Sequence, residues 1–151
     1  MLVSIEGPNL AGKTTKIREI ESILEREGTP YTTIPEYVDY LGDQNRQPER
    51  PLKSREQMEE EGRFYVELER VRQRDIADAI DTHGTVHLVL TDRTFFTCLA
   101  YSRISGNPVS ETMFQEYIHS DGFILPNRIF FLCSFRQRHW ITYEATFIHA
   151  L

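Results

Sequence analysis

Short apolar runs alternate along the chain with longer segments whose apolar residues recur every three or four positions. The apolar runs have the length of β-strands and cover residues 1–5, 31–35, 86–91 and 129–133. The segments with helical spacing cover residues 13–27, 54–81, 94–104 and 109–119. Nearly continuous apolar strands separated by helices are typical of a parallel sheet covered on both faces. The pattern therefore predicts an α/β fold, a three-layer α/β/α sandwich with a mainly parallel sheet.

Residues that start and stop helices support these boundaries. Gly28 and Pro30 are expected to end the first helix, because Gly suits a C-terminal cap and Pro cannot continue a helix. Ser54 and Gln57 have the spacing of a capping box at the start of the second helix. Residues 39–53 are polar, so we expect an exposed loop there, of a length often found in functional lids.

The stretch between the first strand and the first helix carries the strongest chemical signal. Residues 7–15 match G-x-x-x-x-G-K-[ST], the P-loop pattern of a P-loop NTPase fold. Gly7 and Gly12 would let the backbone turn tightly and bring its amides close to phosphate oxygens. Lys13 would reach the terminal phosphates, and the Thr14 hydroxyl would bind Mg²⁺. The residues predicted to hold ATP are Gly7, Pro8, Asn9, Leu10, Ala11, Gly12, Lys13, Thr14 and Thr15.

Polar side chains also follow the second and third predicted strands, at the sheet edge where ligands gather. Asp92 ends a mainly apolar strand, as a Walker-B acid does, and could hold Mg²⁺ or its waters. The alternative is that Asp92 caps the following helix. Arg93 would neutralise phosphate charge. Glu36 is either a solvated loop acid or a group that holds a hydroxyl or a metal-bound water.

Composition and charge exclude several other kinds of function. The chain has 151 residues, which predicts a single domain over residues 1–151. Its net charge is −6 and it has no run of Lys or Arg, so we expect no nucleic-acid polymer as a partner. No apolar run is long enough to cross a bilayer, and no secretory segment follows Met1. Cys98 and Cys133 lie in apolar segments without metal-ligand spacing, which favours a packed pair of reduced thiols in a cytoplasmic protein over a disulfide.

Five stretches together resemble the thymidylate kinase family of nucleoside and nucleotide kinases. Residues 5–15 resemble its opening E-G-x-D-G-x-G-K-T-T, and residues 92–101 resemble its D-R-Y-x-x-S-x-x-A-Y signature. Residues 35–36 and 68–70 resemble its acidic element and the arginine of its second long helix. Residues 125–132 resemble its L-P-D-hydrophobic strand. The likeness extends over about residues 2–132.

This resemblance implies transfer of the ATP γ-phosphoryl group to a deoxynucleoside monophosphate with Mg²⁺, as in dTMP + ATP giving dTDP + ADP. On that basis Lys13 and Thr14 hold the donor phosphates, and Glu36 and Asp92 lie around the transfer site. The resemblance places Lys13, Arg93 and Glu36 among the catalytic residues. It implies an acceptor site formed by Asn9, Glu36, Phe64 (or Tyr65), Arg70, Arg93 and Tyr101. From the charge pattern alone, Arg70 belongs to a helix face that is usually only solvated.

Some residues depart from the family pattern and leave the acceptor open. Asn9 stands where the family has Asp, so it can still hydrogen-bond a sugar hydroxyl but brings no charge. Thr94 and Thr97 also replace other residues of the signature. Residues 35–36 and 68–72 resemble deoxynucleoside kinases equally well, and there Glu36 would take the proton of the sugar 5′-hydroxyl. The alternative acceptor is therefore a deoxynucleoside.

Residues 133–151 do not match the family, and we expect them to be a divergent or shortened tail. Arg136 and Arg138 could imitate the arginines of the family's lid, but we expect no room for a lid, a further strand and a final helix. Loss of the lid would weaken or abolish turnover, leaving a non-catalytic nucleotide-binding protein as another alternative. An uncovered sheet edge would lower stability or favour oligomerisation, for example as a homodimer.

Overall fold

The computed structural model describes residues 1–41, 54–83, 87–132 and 140–143. Strands and helices alternate through most of this part of the chain. The elements in chain order are β1 (Leu2–Glu6), α1 (Lys13–Glu27), β2 (Tyr31–Ile34), α2 (Tyr37–Tyr40), α3 (Arg55–His83), β3 (Leu88–Asp92), α4 (Phe95–Ile104), α5 (Pro108–Ile118), β4 (Arg128–Leu132) and β5 (Trp140–Tyr143).

The five strands form one sheet in the order β2-β3-β1-β4-β5. The first four strands of this order run parallel, and β1 is central, with Val3 opposite Leu90 of β3 and Arg128 of β4. Every residue of β1 is buried, as expected for a parallel strand covered on both sides. The predicted α/β fold with a mainly parallel sheet is confirmed.

The fifth strand corrects our expectation for the tail. We expected no room for a further strand after β4, yet β5 pairs with β4, with Leu132 opposite Trp140. The pairing is antiparallel, and an antiparallel partner needs only a short connection, whereas a parallel one needs a crossover of roughly a dozen residues or more. The edge of β4 is therefore covered. Cys133, Arg136 and Arg138 lie outside the described residues.

Local signals placed most helix ends correctly. Helix α1 has the predicted bounds, and Gly28 caps it with a φ of 66°. The capping box of α3 is present, because the Ser54 amide donates to Gln57 Oε1 at 3.1 Å and the Gln57 amide donates to Ser54 Oγ at 3.2 Å. Asp39 was expected in a loop but lies in α2, so the start of that predicted loop was wrong. Residues 42–53 and 84–86 lie outside the described residues.

The chain divides into two compact units. The first, which we call the sheet unit, comprises Met1–Ile34, Ala79–Arg93 and Leu125–Leu151. Its buried apolar residues include Ile5, Val89 and Leu90 of the sheet. The second, the helical unit, comprises Pro35–Asp78 and Thr94–Ile124. Its core holds Tyr37, Val66, Phe95, Cys98 and Phe114, and the rings of Phe95 and Phe114 meet edge to face at 4.9 Å. That the chain forms one domain, as its length predicts, stays a prediction.

Candidate functional site

The P-loop of the sheet unit requires glycine at two positions for different reasons. Gly7 has a φ of 146°, and a Cβ there would lie 2.4 Å from the carbonyl oxygen of Leu132 at the end of β4. Gly12 precedes α1 with a φ of 87°, and no atom lies near the position of its missing Cβ. Close approach of two backbones therefore demands Gly7, and the left-handed conformation alone favours Gly12.

Lys13 is the first residue of α1, and its side chain turns back over the loop. The side chain is buried, and its Nζ donates to the Pro8 carbonyl oxygen at 3.1 Å. The Ala11 amide also donates to that oxygen, at 3.2 Å, which closes a turn over residues 8–11. The turn sets Leu10 at a φ of 64° with its side chain fully exposed. The ammonium group thus lies within the predicted phosphate loop.

Thr14 and Asp92, the two predicted metal ligands, meet in the structure. Thr14 Oγ1 donates to Asp92 Oδ2 at 3.3 Å. The sheet brings them together, because Asp92 ends β3 directly opposite Ile5 of β1, the strand that leads into the P-loop. The alternative that Asp92 caps α4 is wrong, since the capping residue is Thr94, whose hydroxyl accepts from the Phe96 amide at 3.3 Å.

Arg93 and Asn9, predicted separately, are also in contact. The buried guanidinium of Arg93 donates to the Gly7 carbonyl oxygen at 2.9 Å and to Asn9 Oδ1 at 2.5 Å. The Arg93 backbone has a φ of 69° and its amide donates to the Ile5 carbonyl oxygen at 3.0 Å. The amide oxygen of Asn9 therefore accepts a hydrogen bond from this arginine, as an Asp carboxylate could, but it carries no charge.

The remaining predicted site residues belong to the helical unit. Glu36 is half-buried, precedes α2 in an extended conformation, and makes no side-chain capping bond to that helix. Phe64 is half-buried on α3, with its ring 5.2 Å from that of Tyr65 in an edge-to-face contact. Tyr101 lies on α4 with 46% of its surface exposed. These three residues therefore lie on α3, on α4 and in the connection before α2.

Arg70 faces an open groove of roughly 880 Å³ between α3, α5 and the segment that follows α5. Its guanidinium carbon lies 5.9 Å from the centre of the Tyr117 ring, and it pairs with Glu67 at 3.1 Å. Burial raises the pKa of Tyr117 to about 12, so this phenol stays protonated at neutral pH. Phe64 and Tyr101 are not among the groove's residues. The groove therefore contains Tyr117 beside Arg70, and not Phe64 or Tyr101, which were expected from the sequence.

Sequence reasoning missed a buried polar stripe on α3. The apolar residues Phe64, Leu68 and Val71 are only half-buried. The buried positions include Glu69, Arg72 and Gln73, together with the apolar Ile76 and Ala79. Glu69, Arg72 and Gln73 continue the helical spacing of the buried Val66 and Ile76. A search for apolar residues at this spacing misses them, because it does not admit polar side chains on the buried face.

The described part of the chain contains neither a cluster of metal ligands nor a membrane-spanning helix. Among these residues no group of three or more His, Cys, Asp or Glu side chains could hold a metal ion. None of the helices seen there is long and apolar enough to cross a membrane. Cys98 is buried in the core of the helical unit, and the reduced state predicted for the two cysteines stays a prediction because Cys133 lies outside the described residues.

The fold resembles that of a solved thymidylate kinase from Ehrlichia chaffeensis. The two chains are 17% identical, with a TM-score of 0.61 over 87% of this chain and 75% of that one. No family model matches the sequence, and no curated protein matches it. At this identity the likeness establishes the fold, and together with the parallel sheet it confirms the predicted P-loop NTPase fold class.

Proposed function

We propose that this protein is a nucleotide kinase that transfers the γ-phosphoryl group of ATP to a deoxynucleoside monophosphate, with dTMP as the first candidate. The observation that carries the proposal is the 3.3 Å distance between Thr14 Oγ1 and Asp92 Oδ2 beside the P-loop. P-loop enzymes use such a hydroxyl and strand-end carboxylate to hold Mg²⁺ next to the nucleotide. The fold likeness to a thymidylate kinase supports the choice of acceptor.

The donor half of the proposed site would consist of residues 7–15 and Asp92. Backbone amides of the loop and the N-terminus of α1 would bind the ATP phosphates, with Lys13 at their outer end. Thr14 and Asp92 fit Mg²⁺ because it prefers oxygen ligands and usually takes one or two carboxylates with phosphate oxygens. When bound, the ion would neutralise charge on the transferred phosphoryl group.

Arg93 would act beside the phosphates while holding the P-loop. Its two hydrogen bonds to Gly7 and Asn9 tie the end of β3 to the loop and fix the plane of the guanidinium. A guanidinium held in one orientation can stabilise developing charge without reorganising during the reaction. We therefore propose Arg93 as a catalytic residue together with Lys13.

The acceptor half would come from the helical unit. Arg70 would bind the acceptor phosphate, because its guanidinium is exposed in a groove with an aromatic floor at Tyr117. We propose Phe64 and Tyr101 as base and sugar contacts from the family resemblance alone. Glu36 would contact the reacting end of the acceptor. The proposal also includes the cytoplasmic location and homodimer that the sequence led us to expect.

A deoxynucleoside kinase is the second candidate, and the setting of Glu36 favours it. Glu36 lies two residues after the end of β2, in an extended conformation, and is half-buried. A partly buried carboxylate at a strand end could accept the proton of a sugar 5′-hydroxyl. A third candidate is a protein that binds ATP without turnover, because we expect the chain to lack the lid.

One assay separates the three candidates. The purified chain is incubated with ATP, Mg²⁺ and a panel of deoxynucleosides and their monophosphates, and ADP and phosphorylated products are followed. We expect product from monophosphates, dTMP above all. Product from nucleosides alone would select the second candidate, and ATP binding without product would select the third.

Lys13→Ala tests whether the P-loop carries the activity. The substitution removes the ammonium group from the donor phosphates, and we expect kcat to fall by about 100-fold or more. Lys16→Ala is the matched control, since Lys16 lies on the same helix and pairs with Glu19 at the surface. Turnover that survives Lys13→Ala, or an equal loss in both variants, would contradict the proposed role of the P-loop.

A further inference from the structure

A buried polar network lies at the middle of α3 in the helical unit, with Glu69 at its centre. Glu69 Oε2 accepts from the Tyr37 hydroxyl at 2.8 Å and from Arg72 Nη1 at 3.0 Å. Glu69 Oε1 accepts from Gln73 Nε2 at 2.7 Å. The side chains of Glu69 and Arg72 are each only 1% exposed, and the Arg72 guanidinium carbon lies 4.3 Å from the centre of the Tyr37 ring.

The network continues to the wall of the groove that contains Arg70. Gln73 Oε1 accepts from the Ile124 amide at 2.8 Å, and both residues line the groove. The Gln73 side chain thus donates to Glu69 with its nitrogen and accepts from Ile124 with its oxygen. A rotation of this amide would break both bonds, so the two contacts fix each other.

At its other end the network holds the element that follows Glu36. Helix α2 has four residues, too few to be stable without tertiary contacts. Tyr37 is its first residue, directly after Glu36, and is anchored by its hydroxyl and by the guanidinium over its ring. The position of Glu36 therefore depends on the anchoring of Tyr37 to α3.

A buried ion pair is a poor source of stability, because removing two charges from water offsets most of their attraction. A network of this kind is better suited to hold a specific geometry. Although burial opposes the charge, the pKa of Arg72 is raised on balance by Tyr37 and Glu69, and burial raises the pKa of Tyr37. Arg72 therefore stays charged and Tyr37 stays a hydrogen-bond donor at neutral pH.

We propose that Glu69 is a positioning residue that couples α2, and with it Glu36, to the groove wall at Ile124. The catalytic part of this inference rests on the proposed kinase function, in which Glu36 and Arg70 serve the acceptor. The coupling itself does not depend on that function. It requires that a change at Tyr37 alter the hydrogen bond of the Ile124 amide through Glu69 and Gln73.

Hydrogen exchange of the Ile124 amide, followed by NMR in the intact chain, tests the coupling. Tyr37→Phe removes one hydroxyl from the network, and we expect exchange at Ile124 to accelerate by about fivefold or more. Tyr40→Phe is the matched control, because the Tyr40 hydroxyl also joins α2 to α3, donating to Asp75 Oδ2 at 2.6 Å, outside the network. Unchanged exchange in Tyr37→Phe, or equal acceleration in both variants, would overturn the coupling.

A second variant removes the ion pair without leaving a buried charge. Glu69→Leu combined with Arg72→Met replaces the pair by apolar side chains, and such replacements usually leave the fold intact. We expect Ile124 and the Asp39 and Leu41 amides at α2 to lose protection together. Loss at α2 alone, with Ile124 still protected, would mean that the two ends are independent and the proposal is wrong.

The kinetic test compares the same tyrosine variants. With a coupled acceptor half, Tyr37→Phe should lower kcat by about tenfold while the KM for ATP stays within about twofold, since residues 7–15 are not in the network. Tyr40→Phe should stay close to wild type. Faster exchange at Ile124 with unchanged kcat would show that Glu69 does not position the chemistry. An inactive wild-type protein would overturn the proposed function, while hydrogen exchange would still decide the coupling.

Discussion

At the scale of single residues, Leu10 is the least expected feature of the P-loop. Its φ of 64° lies in the left-handed region, which costs an L side chain about 1 kcal/mol or more, and its side chain is fully exposed. The family pattern that the loop resembles has Gly at this position. A strained residue persists only where the surrounding structure holds it, and here the Ala11 amide closes a turn on the Pro8 carbonyl oxygen.

Leu10→Gly should therefore stabilise the protein. Relief of the strain outweighs the extra backbone freedom of Gly in the unfolded chain, and we expect the free energy of unfolding to rise by up to about 1 kcal/mol. Urea denaturation measures the change. Leu10→Ala keeps the strain and removes no buried contact, so it should leave stability nearly unchanged. Equal stability of the Gly and Ala variants would show that φ at this position is not strained.

At the scale of elements, the stability of α3 depends on the hydrogen bonds of its first turn. The reciprocal hydrogen bonds of Ser54 and Gln57 satisfy backbone amides that a helix start otherwise leaves without partners. This helix carries Arg70 on its exposed face and Glu69 in the core. The capping box therefore helps to stabilise the helix that carries both residues.

Ser54→Ala should lower the free energy of unfolding by about 1 kcal/mol through loss of the cap. Thermal or urea denaturation measures it. Ser22→Ala is the control: Ser22 lies inside α1, where its hydroxyl bonds the Arg18 carbonyl oxygen and Ala is the better helix former. We expect that variant to be neutral or slightly stabilising. A similar loss in both would indicate that the capping box contributes nothing specific.

At the scale of the whole molecule, stability should fall in alkaline solution. Burial raises the pKa values of Tyr37, Tyr40 and Tyr117 above the ordinary value of 10.0, to about 12 for Tyr117. Since the folded state favours the neutral phenols, their contribution is fully present below pH 10 and is lost as the pH rises through the raised values.

Titration of phenolate absorbance alongside circular dichroism checks this prediction. We expect these three tyrosines to ionise above pH 10, with the buried Tyr37 ionising together with loss of the folded signal. Ionisation of Tyr37 near its ordinary pKa of 10.0, with the folded signal intact, would contradict the assigned burial. Tyr37→Phe should show less alkaline destabilisation than wild type, which links the effect to that side chain.

Local signals in the sequence were sufficient for the P-loop, for α1 with its Gly28 cap, and for the capping box of α3. Each of these depends on residues close together in the chain, where backbone conformation and helical period decide the outcome. The same signals left Asp92 open between a metal ligand and a helix cap. The structure excludes the cap, because Thr94 caps α4, and the register of β1 against β3 brings Asp92 to Thr14, where its role as a metal ligand stays a proposal.

The sequence alone was sufficient to predict the parallel sheet and to place the P-loop between β1 and α1. Only the tertiary structure decided which face of α3 is buried, because burial depends on what packs against the helix, and here Tyr37 and Ile124 provide hydrogen-bond partners for Glu69 and Gln73. It likewise decided that β5 pairs antiparallel with β4. These outcomes rest on contacts between residues far apart in the chain, which composition, period and motif do not encode.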